Sequence, residues 1–87
     1  MDYGTIAFQN THAAIATQGY LGKRFAISVM PTLRKISMSC GISIRFQAQD
    51  AQEVCQAMRD FDLDRDSYGI YGVTHQGKDL LVEELDK

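Results

Sequence analysis

Phe25-Ala26-Ile27-Ser28-Val29 and Ile42-Ser43-Ile44-Arg45-Phe46 bracket the segment Met30-Pro31-Thr32-Leu33-Arg34-Lys35-Ile36-Ser37-Met38-Ser39-Cys40-Gly41. Both flanks are short, β-branched and aromatic, and read as strands. The connection between them runs to about a dozen residues, where hairpin loops usually take about two to five. Its composition is unusual too: a rigid entry at Pro31, two cations at Arg34 and Lys35, and a thiol at Cys40 set between Ser39 and Gly41. Extra loop of this kind carries function more often than a tight turn does.

Working outward, Tyr3 to Phe8 reads as a first strand, followed at Asn10 or Thr11 by an N-cap for a helix from His12 to about Leu21. Ala14, Ile15 and Leu21 are the expected buried stripe of that helix, and Gly19 and Gly22 weaken its end. Downstream, Asp50 and Glu53 make a capping-box pattern before Ala51, Val54, Cys55, Met58 and Phe61, whose spacing predicts an amphipathic second helix. Tyr68 to Thr74 reads as the last core strand, its Gly69 and Gly72 marking either a bulge or a close backbone approach. The tail from Lys78 to Lys87 fits an edge strand or a helical turn equally well. The order strand, helix, strand, strand, helix, strand predicts an α+β, ferredoxin-like split βαβ fold (βαββαβ) with a four-stranded antiparallel sheet and both helices on one face. In that topology the amino end of the first helix, with Thr11 and His12, lies at the same end of the sheet as Cys40.

The 87 residues make one domain, with a core at about 3–74 and a C-terminal extension at 75–87. A chain this short buries only about 60% of its unfolded surface and has room for a single core. A net charge of -2 gives no overall attraction to nucleic acid or anionic lipid. No apolar run is long enough to span a bilayer and no signal-peptide pattern opens the chain, so a cytoplasmic location is expected. Cys40 and Cys55 lack CxxC or zinc-type spacing, and His12 and His75 are isolated from them in sequence. Neither a metal nor a cofactor is expected, and the thiols are expected to be reduced.

The chemistry legible in the loop is thiol chemistry. An ordinary cysteine, with a pKa of about 8.5, is only slightly ionised at neutral pH, and nearby cations or a helix amino end favour the thiolate. Arg34, Lys35 and Arg45 supply cations, and the topology supplies the helix end. Cys40 read without the loop is a small core residue at the start of a strand, which is common for cysteine. His12 either shuttles a proton to the sulfur or merely packs in a first helical turn. Arg34 and Lys35, helped by Ser37, Ser39 and the backbone at Gly41, either hold an anionic ligand or are simply solvated. The helical spacing of Cys55 favours core packing over a role as resolving thiol, and His75, beside a turn, is assigned no task. Binding without chemistry is the alternative: a ligand-sensing or protein-docking module in which Cys40 is incidental and Met30, Ile36 and Met38 form an apolar contact surface.

Phe8-Gln9-Asn10-Thr11-His12, then Met30-Pro31-Thr32-Leu33-Arg34, then Ser37-Met38-Ser39-Cys40-Gly41 and the strand after it resemble the putative selenium/sulfur carrier protein-like family of small bacterial proteins. The resemblance covers Tyr3 to about Val73. His12, Pro31, Thr32, Arg34, Ser37, Cys40 and Gly41 match its pattern, and Leu33 stands where a second proline is usual. The resemblance implies a carrier, more a binding protein than an enzyme. In it Cys40 would hold the chalcogen as a persulfide or selenosulfide between a sulfur or selenium donor protein and an acceptor protein. An exposed edge strand is also compatible with a homodimer.

Overall fold

Tyr3–Phe8 forms β1, and all six of its residues are buried, because it is the middle strand of the sheet and is covered on both faces. The structure, a computed structural model, describes residues 1–86; Lys87, the last residue of the expected extension, lies outside the described residues. After β1 come α1 (Thr11–Leu21), β2 (Ile27–Pro31), β3 (Ile42–Gln47), α2 (Ala51–Asp60), β4 (Tyr68–Gln76) and β5 (Asp79–Asp86). The fold is α+β, with two helices and one five-stranded sheet in the order β2-β3-β1-β4-β5, antiparallel throughout. The expected four-stranded ferredoxin-like split therefore describes it only roughly. The C-terminal tail supplies a fifth strand, turned by Gly77, whose φ of 62° suits the two-residue loop before Asp79.

Alternation along the strands sends Ile6, Phe8, Ile44, Phe46 and Ile70 to one face, where they form a single core with Ala13, Ala14 and Leu21 of α1 and Val54, Ala57 and Met58 of α2. Both helices thus pack on that face, and each large apolar side chain buried there contributes about 1.5–3 kcal/mol. Tyr20 ties the helices together, donating its hydroxyl to the Ala57 carbonyl at 2.8 Å and stacking on Phe61 at 4.0 Å. In α1 the expected Ala14 and Leu21 are buried, but Ile15 is not. Asn10 is the N-cap, accepting from the Ala13 amide at 2.8 Å, and Ala13, Thr17 and Leu21 then recur every four residues against the sheet. Ile15 is left 63% exposed. The capping box of α2 is not formed. The chain enters through a 3-10 turn at Ala48–Asp50, so Asp50 (φ -94°, ψ 1°) is not in the extended conformation a capping side chain needs.

Glycines in the central strands make room for aromatic rings. A Cβ on Gly4 would overlap the Phe46 ring, and one on Gly69 would lie 2.7 Å from the Tyr71 hydroxyl. The pairing of β4 with β5 shifts register between Ile70 and Tyr71, where Leu85 is the extra residue, so the irregularity belongs to β5 and not to Gly69 or Gly72.

The opposite face of the sheet is closed as well. Tyr3, Thr5, Ala7, Ser43 and Val73 alternate away from the helices and are nonetheless buried. Arg45 lies over Tyr3 there, Thr32 bonds Ser43, and the long connection between β2 and β3 acts as a strap. It leaves the sheet at the β2 edge, yet Lys35 donates to the Leu80 carbonyl and pairs with Asp79 at 2.9 Å, both on β5 at the far edge. Since the helices occupy one face, the strap must cross the other. Ile36 at its middle is only 6% exposed and stands outside the helix-side core. This corrects the reading of Ile36 as part of an apolar contact surface.

Candidate functional site

Cys40 ends the strap, where backbone hydrogen bonds fix it from both sides. Its amide donates to the Phe8 carbonyl at 3.0 Å, extending the junction of β3 with β1. Its own carbonyl accepts from the Thr32 hydroxyl at 2.9 Å, and Thr32 also reaches Ser43 Oγ at 2.7 Å and, through its amide, the Gly41 carbonyl at 3.0 Å. Thr32 thus joins the two ends of the strap. Next to Cys40, Ser39 is held by Gln9, whose Oε1 accepts from the Ser39 amide at 3.2 Å and its hydroxyl at 3.0 Å.

The sulfur itself meets two polar groups. Ile42 donates its amide to Cys40 Sγ at 3.5 Å, and Thr11 Oγ1 lies 3.7 Å away. Thr11 is the first residue of α1, so the sulfur rests at the positive end of that helix. A backbone amide and the amino end of a helix are therefore directed at this sulfur. Burial works in the other direction: Cys40 is 7% exposed and belongs to the helix-side core. A sulfur in this setting has donors for an anion but little direct access to solvent.

The other expected site residues divide. His12, beside Thr11, is exposed and makes no hydrogen bond or ion pair with the described residues; the contact with the sulfur belongs to Thr11. Arg34 is likewise exposed and unpaired among the described residues. Lys35 is engaged by Asp79 and Leu80, and Arg45 lies over the Tyr3 ring at 4.4 Å, on the strap side of the sheet. Two of the three cations expected at the sulfur are thus committed elsewhere. Ser37 is exposed, and Gly41, also exposed, would meet nothing within 4 Å if it carried a Cβ. Gln9 and Thr32 were not singled out from sequence for these roles, although Thr32 stands in the matched Pro-Thr element.

Elsewhere, Cys55 is half-buried at the margin of the core. It lines a shallow cavity of about 290 Å³ with Ala51, Gln52, Arg59 and Leu85. No disulfide joins it to Cys40, and no cluster of metal-ligating side chains occurs among the described residues. His75, assigned no task from sequence, does have a partner: its amide and Nδ1 both meet Asp2 Oδ2, at 2.7 and 2.8 Å. These contacts hold the Asp2 carboxyl below its usual range. No helix among the described residues is long and apolar enough to cross a membrane.

Comparison with known proteins assigns the chain to a family. The family model described as Putative Se/S carrier protein-like matches residues 3–68, so the chain belongs to that family. No curated protein matches, and no solved structure matches. The matched segment spans β1 to the start of β4 and contains Cys40 and both residues, Thr11 and Ile42, whose polar groups meet its sulfur.

Proposed function

Starting from this membership, we propose that the protein carries sulfur or selenium between partner proteins on Cys40. One observation supports the reading above others: the Cys40 sulfur lies between the Ile42 amide and the Thr11 hydroxyl at the amino end of α1. An attacking thiol must be ionised, and oriented donors at a helix end are what stabilise a sulfur anion inside a protein.

The transfer is a thiol exchange. The Cys40 thiolate attacks the terminal chalcogen of a donor persulfide or selenosulfide, the donor's own sulfur leaves as a thiolate, and Cys40 becomes Cys-S-SH or Cys-S-SeH. One bond to the chalcogen forms as another breaks, with no external oxidant. An acceptor thiolate then attacks the same terminal atom and returns Cys40 to the thiolate. In this reading His12, exposed one residue from Thr11, exchanges protons with solvent, and the exposed Arg34 attracts an anionic donor. Because Cys40 is 7% exposed, each transfer requires the end of the strap to open.

The test is mass spectrometry after incubation with a cysteine desulfurase and cysteine. The intact protein should gain one sulfur atom, removable by a reducing thiol, at Cys40 and not at Cys55. A Cys40→Ser variant should gain nothing. Equal loading of that variant, or loading at Cys55 alone, refutes the carrier role and leaves the docking module, for which Cys40→Ser should be silent.

A further inference from the structure

The net charge of -2 conceals a division. Between Tyr3 and Gln49 the chain holds Lys23, Arg24, Arg34, Lys35 and Arg45 and no acidic residue at all. Apart from Asp2, every Asp and Glu lies from Asp50 onward. The sheet order turns this into a spatial separation, because β2 and β3 form one side of β1 while β4 and β5 form the other. β2, β3 and the connection that ends at Cys40 hold cations and no acid, whereas Asp79, Glu83 and Glu84 lie on β5.

Three of the cations are not neutralised. Lys35 is paired with Asp79 and Arg45 lies on Tyr3, but Lys23 and Arg34 have no carboxylate partner among the described residues, and Arg24 lies only over the Phe25 ring at 5.3 Å. Lys23 and Arg24 precede β2, and Arg34 follows it. The strand between them is an edge, unpaired on its outer side. It exposes an apolar middle: Val29 is 50% exposed, and Ile42, on neighbouring β3 and two residues beyond Cys40, is 40% exposed.

We infer that this β2 edge is a docking surface for an acidic protein segment, whose apolar middle would cover Val29 and Ile42 while its carboxylates meet Lys23, Arg24 and Arg34. Charge complementarity selects the partner: cations flanking an apolar strand edge, in a stretch with no acid from Tyr3 to Gln49, repel a basic chain and attract an acidic one. Delivery of a chalcogen to Cys40 from that segment rests on the carrier reading; the docking does not.

Two synthetic peptides test it, alike in an apolar centre and differing only in glutamate or lysine flanks. Fluorescence anisotropy should show the glutamate peptide binding about ten-fold or more tightly at low salt, with the preference collapsing at high salt. The triple variant Lys23→Glu/Arg24→Glu/Arg34→Glu, all exposed positions, should invert the preference with its thermal melt unchanged. Equal binding of the two peptides, or a preference that survives the triple variant, overturns the proposal. Tighter binding of a uridine homopolymer through the same cations also overturns it and reassigns the edge to RNA. A second arm uses peptides whose cysteine carries 5-thio-2-nitrobenzoate, with Cys55→Ser as background. Attack by the Cys40 thiolate on the peptide sulfur forms one disulfide, breaks another and expels the coloured thiolate. A glutamate preference in binding with no release of colour leaves the docking intact and refutes the carrier reading; colour release without preference does the reverse.

Discussion

Replacing Ile36 by alanine should loosen the strap and uncover Cys40 in one step. The substitution removes three carbons from a side chain only 6% exposed. At about 0.8 kcal/mol for each buried carbon, the lost transfer energy is about 2 kcal/mol. The cavity term should be small, because a connection can collapse where a helix or strand cannot, so the total belongs at the low end of the roughly 2–5 kcal/mol seen for buried isoleucine. If that energy holds the strap closed locally, the open fraction rises by about thirty-fold, since about 1.4 kcal/mol is a factor of ten. Iodoacetamide labelling of Cys40, followed by mass spectrometry with Cys55→Ser as background, should accelerate by up to that factor. Urea unfolding read by circular dichroism gives the stability loss in parallel. Unchanged labelling alongside a loss of about 2 kcal/mol would refute the strap as the gate to the sulfur. A loss below about 0.5 kcal/mol would refute the burial argument itself.

Other substitutions probe separate parts of the structure. Gly4→Ala should cost about 1–3 kcal/mol, because the added methyl overlaps the buried Phe46 ring; a thermal melt within a degree of wild type would contradict this packing. Gly19→Ala, in α1 with nothing within 4 Å of a new Cβ, should instead stabilise by about 0.5–1 kcal/mol, measured in urea. Lys35, bonded to the Asp79 carboxylate, together with the Leu80 amide, holds that carboxyl below its usual range. A carboxyl depressed in the folded state adds stability above its unfolded pKa of about 4 and loses it as pH falls through the lower folded value. Asp79→Asn should therefore lower the urea midpoint at neutral pH, and the difference from wild type should vanish in strong acid.

How far the sequence disclosed this molecule depends on the range of the interactions involved. The strands flanking the strap, the helix at Ala51–Asp60 and the meeting of Cys40 with the amino end of α1 follow from periodicity and chain order, which are local or topological. Ile15 shows the limit of that approach. A short alanine-rich helix has no strong apolar stripe, so the sheet chooses its face, and it chose the small Ala13, Ala14 and Thr17. Asp50 and Glu53 have capping-box spacing, but a 3-10 turn set by the preceding residues took the backbone out of the required conformation. Lys35 is the clearest case. Its partner Asp79 is distant in sequence, and only the path of the strap across the sheet brings them together. Net charge is silent for a related reason, since a single sum cannot record that residues 3–49 hold cations without acids while all the carboxylates but Asp2 lie from Asp50 onward.

The same path alters the physical account of the thiol. From the sequence, cations in the loop were the natural means of holding a sulfur anion, yet the strap spends Lys35 on β5, and Arg45 turns to Tyr3 on the other face. What remains at Cys40 is neutral: one amide, one hydroxyl and the end of a helix. Neutral oriented dipoles differ from mobile cations in a way that bears on a carrier. They need not be displaced when the sulfur is extended by a second chalcogen, and carrying no net charge they respond to salt far less than a mobile cation does. The steering cations, in contrast, lie outside at Lys23, Arg24 and Arg34, where salt acts strongly. Encounter and chemistry should therefore separate on an ionic-strength axis. The rate of partner association should fall steeply with salt, while the rate of exchange within a formed complex, measured by stopped flow at saturating partner, should hardly change. A steep salt dependence of the second step would place mobile charge at the sulfur and remove the helix end from its central role.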